Sequence, residues 1–262
     1  MLKLENINIT FHKNTPNENH ALKDVNLHLN PGDFVTVIGS NGAGKSTLLN
    51  AISGAYEIDS GKIFLDGKDI TNFKEFKRAR YMGHLFQDTL RGTAPNMTIE
   101  ENLGLAYSRG SRRGFSWGIK KQDEELFREK LKMLDLGLED RLKSKVGLLS
   151  GGQRQAVTLL MATIVTPSLL LLDEHTAALD PKTAAQVMKI TNQIVAEHNI
   201  TTMMITHNIQ NALECGNRTI VMSQGKIVLE LSGEERKNMT VERLMDLYST
   251  TAHDSFSDKT LL

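Results

Sequence analysis

Residues Gly39 to Ser46 read Gly-Ser-Asn-Gly-Ala-Gly-Lys-Ser and fit the pattern G-x-x-x-x-G-K-[ST]. What gives the match weight is its setting. Phe34 to Ile38 before it is an apolar, β-branched run with no polar face, as in a central parallel strand covered on both sides. After it comes an apolar helical stretch through Ile52 that Gly54 stops. Between such a strand and such a helix, glycines let successive backbone N–H groups turn inward on an anion, and the helix start adds its positive end. Lys45 is then placed to reach β- and γ-phosphates, and the Ser46 hydroxyl to ligate Mg²⁺. A chance glycine-rich turn is the competing reading; the flanking strand and helix weigh against it.

The rest of the chain extends an α/β pattern. Leu2, Leu4, Ile7 and Ile9 predict an opening strand and Leu22 to Leu29 a second. Ile63 to Lys68 reads as a hairpin turning at Asp66-Gly67, and Ile220 to Leu229 as another turning near Gln224-Gly225. Leu169 to Leu172 and Thr202 to Thr206 are buried-strand runs. From about Thr98 to Val165 the pattern is helical, with Phe127, Leu131, Leu134 and Leu138 spaced as one helix face and acids in that helix's first turn. Asp180-Pro181 predicts a capped helix start, with Val187, Ile190 and Ile194 on one face. Thr251 to Leu262 has no period and reads as a loose tail.

Leu169 to Glu174 is an apolar run ending in two acids. A carboxylate at the end of a parallel strand faces the crevice where open α/β sheets bind ligands. Asp173 can hold the Mg²⁺ hydration shell, as the matching Asp does beside other phosphate loops, and Glu174 is placed to polarise the attacking water. Alone, such acids are commonly the start of a solvated loop; beside a phosphate loop the catalytic reading prevails.

Leu149-Ser150-Gly151-Gly152-Gln153 then decides the family. The sequence resembles the ABC (ATP-binding cassette) ATPases, whose signature this is, at the usual distance before the acidic strand. Physically it is a second anion site, made of a small hydroxyl, two glycines and a helix start. The resemblance covers essentially the whole chain. It implies an α/β P-loop NTPase (RecA-like) core with an antiparallel β subdomain, over 1–87 and 159–250. It also implies an inserted α-helical subdomain over 88–158 carrying the signature, and a tail over 251–262. In the family the signature faces the γ-phosphate bound by the opposite subunit, so two chains sandwich two ATP with Mg²⁺.

Other positions match the family one by one. The nucleotide set implied is Gly39, Ser40, Asn41, Gly42, Ala43, Gly44, Lys45, Ser46 and Thr47, with Ser150, Gly151, Gly152 and Gln153. Gln87 resembles the glutamine that contacts the metal and the attacking water, joining Ser46 and Asp173 as metal ligands. His207 resembles the switch histidine at the γ-phosphate, giving Glu174, His207, Gln87 and Lys45 as the catalytic set. Ala178-Leu179-Asp180 looks like the loop that communicates across the dimer. Phe11 is the aromatic best placed to stack on adenine, with a core-facing strand position as its equal competitor. His175 departs from the family, standing where most relatives carry proline, and receives no catalytic role. That variant and the Arg-rich segment look like a bacterial branch of uptake ATPases linked to tryptophan or tyrosine.

Composition narrows the function further. Lys+Arg (31) balance Asp+Glu (31), which gives no support to nucleic-acid binding by overall charge. Cys215 is the only cysteine, which leaves no intrachain disulfide or cysteine-based metal site. The most apolar stretch, Leu159 to Leu172, is broken by Pro167 and falls short of the roughly 20 residues a spanning helix needs. The expectation is a cytoplasmic chain, peripheral on the inner face of the cell membrane. Its partners would be a second copy, permease subunits met through the helical subdomain, and an extracellular substrate-binding protein. Arg109, Arg112 and Arg113 form a basic loop that could approach the permease or anionic lipid, though a solvated loop is the simpler reading. An importer of small solutes such as amino acids leads; a cluster-assembly ATPase and an export motor stay open.

Overall fold

The computed structural model describes residues 1–88, 90–109 and 118–252. Arg112, Arg113 and the tail from residue 253 lie outside the described residues. The chain forms two compact units, Met1–Arg78 with Asn199–Leu262, and Ala79–His198.

In the first unit, β1 (Leu2–Phe11), β2 (Asn19–Leu29), β4 (Ser60–Leu65) and β5 (Lys68–Asp69) make an antiparallel sheet in the order β2-β1-β4-β5. The apolar residues of β1 break strict alternation between Leu4 and Ile7, yet Leu2, Leu4, Ile7 and Ile9 are all 0–2% exposed. A register shift between Leu4 and Ile7 resolves this, with Asn6 in the left-handed region at φ 50°. The extra residue of a bulge restores one apolar face. Asp66 and Gly67, both at positive φ, turn the hairpin from β4 to β5.

The same unit holds β3 (Phe34–Ile38), β8 (Thr201–Ile205), β9 (Arg218–Ser223) and β10 (Lys226–Ser232), ordered β10-β9-β3-β8. β3 pairs in parallel with β8 and β9, and every residue of β3 and β8 is buried. Its helices are α1 (Lys45–Ser53), α2 (Glu75–Arg78), α7 (Ile209–Glu214), α8 (Gly233–Lys237) and α9 (Val241–Ala252). Gly54 closes α1 in the left-handed conformation. Arg78 then reaches the same end: its guanidinium donates to the carbonyls of Ala51 and Ile52 at 2.8 Å. Those carbonyls are orphaned at a helix end, and a cation suits them.

The second unit contains the parallel pair β6 (Met82–Leu85) and β7 (Leu169–Asp173), with α3 (Ile99–Tyr107), α4 (Lys121–Lys132), α5 (Gly151–Thr163) and α6 (Pro181–His198). Thr98 and Glu101 form a reciprocal cap on α3. The periodic face through Leu138 is not one helix, because α4 ends at Lys132 and Asp135 and Gly137 take positive φ. Phe127, Leu131, Leu134 and Leu138 are all buried nonetheless, so the pattern reported burial across a helix end. Asp180 caps α6 by accepting from the Thr183 N–H at 3.1 Å, and the Thr183 hydroxyl together with that N–H holds its carboxyl below the usual range.

Arg109 corrects the expectation of a solvated basic loop. Its guanidinium donates to the carbonyls of Met82 (3.2 Å), Ala162 (3.0 Å) and Val165 (2.7 Å). It ties the end of β6's partner helix α5 to the start of β6, and burial pulls its pKa down.

Candidate functional site

The phosphate loop leaves the carboxyl end of β3 through Gly39, whose φ is 152°. A Cβ there would sit 2.2 Å from the Met222 carbonyl oxygen, so the loop can turn this close to β9 only with glycine. Gly44, at φ 99°, ends the loop and precedes the first residue of α1. Lys45 is 5% exposed and donates to the carbonyls of Gly39 (2.8 Å) and Ser40 (3.0 Å), spanning the mouth of the loop. Ser46 and Thr47 follow in the first turn, half-buried; Asn41 and Gly42 are exposed at the tip, and Ala43 is buried beneath. Backbone N–H groups at such a helix start can cradle an anion, and Lys45 places a cation beside them.

His207 belongs to the same edge. Val37 of β3 pairs with Ile205 of β8, so Gly39 and His207 each lie two residues beyond the paired level. Adjacent strands are about 4.8 Å apart, which brings the histidine loop alongside the phosphate loop. Asn208 caps α7 by accepting from the Asn211 N–H at 2.8 Å, so His207 sits in a short, fixed turn. Phe11, at the end of β1, meets Tyr56 edge-on at 5.3 Å between ring centroids.

The second unit repeats this logic with acids. Leu85 of β6 pairs with Leu172 of β7, so Gln87 and Glu174 leave the pair at one level, with Asp173 closing β7. Gln87 is exposed; Asp173 and Glu174 are half-buried. Glu174 stands at φ 47°, a strained conformation for a side chain larger than glycine, and its carbonyl accepts from the Ala177 N–H at 3.0 Å. Ahead of Gln87, the His84 and Phe86 rings lie 4.1 Å apart and Arg91 covers the Phe86 face at 5.1 Å. Burial, with Arg91 nearby, pushes the His84 pKa down to about 4 and keeps its ring neutral. Nothing in the spacing of these residues announced that stack.

The signature starts α5. Ser150 Oγ accepts from the Gln153 N–H and Gln153 Oε1 accepts from the Ser150 N–H, both at 3.3 Å. Sequence reading could have found this capping box, since serine and glutamine stand three apart before an apolar run. Arg154 curls back to donate to the carbonyls of Gly147 (3.3 Å) and Leu149 (3.0 Å). Gly151 is exposed, while Gly152 is buried against the start of α6: a Cβ on it would lie 2.0 Å from Thr183 Cγ2. Leu179 and the exposed Ala178 and Asp180 form the turn before α6.

Comparison with known proteins gives this set of parts a family. The model for "ABC transporter" matches residues 22–177, from β2 past the acidic end of β7. A "Tyrosine transport ATP-binding protein" of Clostridioides difficile is 42% identical over 95% of this chain and 98% of its own length. A methionine import ATP-binding protein of Streptococcus agalactiae is 33% identical over 92% of this chain and 68% of its own. Among solved structures, an ATP-binding cassette captured as a dimer in a post-hydrolysis state with ADP and phosphate superposes with a TM-score of 0.77. It is 31% identical over 88% of this chain and 98% of its own. This chain belongs to the ABC transporter family and is one of its ATP-hydrolysing subunits.

Proposed function

We propose that the chain is the motor of a bacterial importer whose cargo is an aromatic amino acid. The observation that carries this is the near full-length match to a tyrosine transport ATP-binding protein. The methionine import ATP-binding protein at 33% identity supports import as the direction. Two copies close on two ATP, with Ser150 to Gln153 of each serving the nucleotide held by the other's phosphate loop. A separate permease receives the motion through the segment 88–158, with an extracellular binding protein delivering cargo. No helix among the described residues is long and apolar enough to cross a membrane. The chain works at the inner face of the cell membrane through that permease.

Within this reading each residue has a physical task. Lys45 exchanges its backbone carbonyls for the β- and γ-phosphates, a move its long stem allows. Phe11 offers a ring face to adenine. Ser46, Asp173 and Gln87 supply a hydroxyl, a carboxylate and an amide oxygen, a hard and sparse donor set that suits Mg²⁺ held chiefly by phosphates and water. That ion would neutralise charge building on the γ-phosphate. Glu174 orients and deprotonates the attacking water, and His207 contacts the γ-phosphate from the edge it shares with the phosphate loop.

Uptake of radiolabelled tyrosine, tryptophan and methionine by cells with and without the chain tests the cargo. Loss of aromatic uptake alone is expected. Loss of methionine uptake with aromatic uptake intact would overturn it.

A further inference from the structure

Tyr248 is 1% exposed and heads the fully buried side chains by volume, yet it lies in α9, where no motif points. It packs in a cluster with Ile38, Ile209, Ala212, Val221 and Leu244. Ile38 is the last residue of β3 and Ile209 the first of α7, so the ring lies under both the phosphate loop and the helix after His207. Its hydroxyl oxygen accepts from the Ser40 N–H at 3.3 Å, a contact across 208 positions of sequence.

That N–H and the Gly39 carbonyl belong to one peptide unit, and a peptide unit is planar. The carbonyl end accepts from Lys45 Nζ at 2.8 Å while the amide end donates to Tyr248. One plane is thus held at both ends, by the loop's own cation and by the C-terminal helix. This plane turns through ψ of Gly39 and φ of Ser40, and Gly39, with no Cβ, offers less steric resistance on its side than any other residue would. When Lys45 leaves for a phosphate the carbonyl end is released, and the Tyr248 hydroxyl is the side-chain contact that still fixes the plane.

We propose that Tyr248 is a positioning residue for nucleotide binding, acting through the Gly39–Ser40 peptide on the phosphate loop and Lys45. This rests on the reading that Gly39 to Ser46 holds the phosphates. The hydroxyl keeps the loop preorganised, so a chain without it must order the peptide on binding and loses affinity. Turnover at saturating ATP is unaffected, because the hydroxyl touches none of the reacting atoms.

The test is Tyr248→Phe, which keeps the ring and removes the hydroxyl. Equilibrium binding of a fluorescent ATP analogue should weaken about three- to tenfold, the range of one net hydrogen bond. The KM for ATP should rise in step, with kcat within about twofold at saturation. Leu244→Val loosens the same cluster without touching Ser40; it should lower thermal stability and leave nucleotide affinity at the parent value. Lys45→Ala, run alongside, reports on the phosphate loop itself. If Lys45→Ala abolishes binding while Tyr248→Phe binds as the parent does, the proposal fails and the phosphate-loop reading stands. If Leu244→Val weakens binding as much as Tyr248→Phe, the effect is helix packing and the proposal also fails. If Lys45→Ala leaves binding unchanged, the phosphate-loop reading fails first and takes the proposal with it.

Discussion

His175 Nε2 lies 3.2 Å from Thr191 Oγ1, and the Thr191 hydroxyl already donates to the Val187 carbonyl at 2.9 Å. A hydroxyl has one proton, so the imidazole is the donor and the Nε2–H tautomer is fixed. The residue after Glu174 is thereby fastened to the interior of α6, with His175 3% exposed and Thr191 fully buried. Burial pushes the His175 pKa down to about 4, against an ordinary 6.5.

A pH dependence follows from that pair. Between about pH 4 and 6.5 the unfolded chain protonates His175 and the folded chain does not, so stability falls as pH falls through this window. The loss at the acid end is on the order of 3 kcal/mol. Urea denaturation from pH 4 to 7 measures it. His175→Gln should flatten the slope, with a remainder from His84, whose pKa burial also pushes down to about 4. An unchanged slope would remove His175 as its cause.

Glu174→Gln keeps the size and the left-handed backbone of Glu174 while removing the base. Hydrolysis should slow by about 10²–10⁴-fold, and ATP should still bind and hold two copies together. Steady-state turnover and gel filtration with ATP check both. Near-normal turnover would assign the chemistry elsewhere.

Ser150 caps α5, and the proposed function gives it a second task at the nucleotide; substitution can separate the two. Ser150→Ala removes the cap on α5 and should lower stability by about 1 kcal/mol, whereas Ser150→Asp should keep the cap. Ser150→Arg should leave ATP binding by a single copy largely intact and block ATP-dependent dimerisation. Denaturation curves and light scattering distinguish the outcomes. Full activity in Ser150→Arg would mean that the signature does not touch nucleotide.

Legibility in the sequence followed how local each determinant is. The apolar runs of β3, β7 and β8 and the turns at Asp66-Gly67 and Gln224-Gly225 were readable because each is decided within a few residues. Spacing did not reveal the end of α4, because buried residues continue past it in the same period. Arg109 looked solvated because a charge cluster gives no hint of the distant carbonyls of Met82 and Val165. Tyr248 and Thr191 had no signal at all: each matters for a partner 208 or 16 positions away. The phosphate-loop and signature residues stood out as motifs because each is a short continuous stretch set at the start of a helix.

Gly152 carries a lesson for anyone reading variants of this chain. Its missing Cβ makes room for Thr183 on α6, 2.0 Å from where a methyl would go, within the same subunit. A defect in Gly152→Ala therefore has two separable origins, an intramolecular collision and, in the proposed two-copy arrangement, a spoiled face toward nucleotide. Trimming the obstacle, as Thr183→Ser does by deleting Cγ2, relieves only the collision. Fold and melting temperature recovered in the double variant with ATPase still lost would locate the defect at the nucleotide face; full recovery would locate it between the helices. Intolerance of Gly152 to substitution would therefore not by itself place the signature at a nucleotide, because packing against Thr183 alone already requires glycine there.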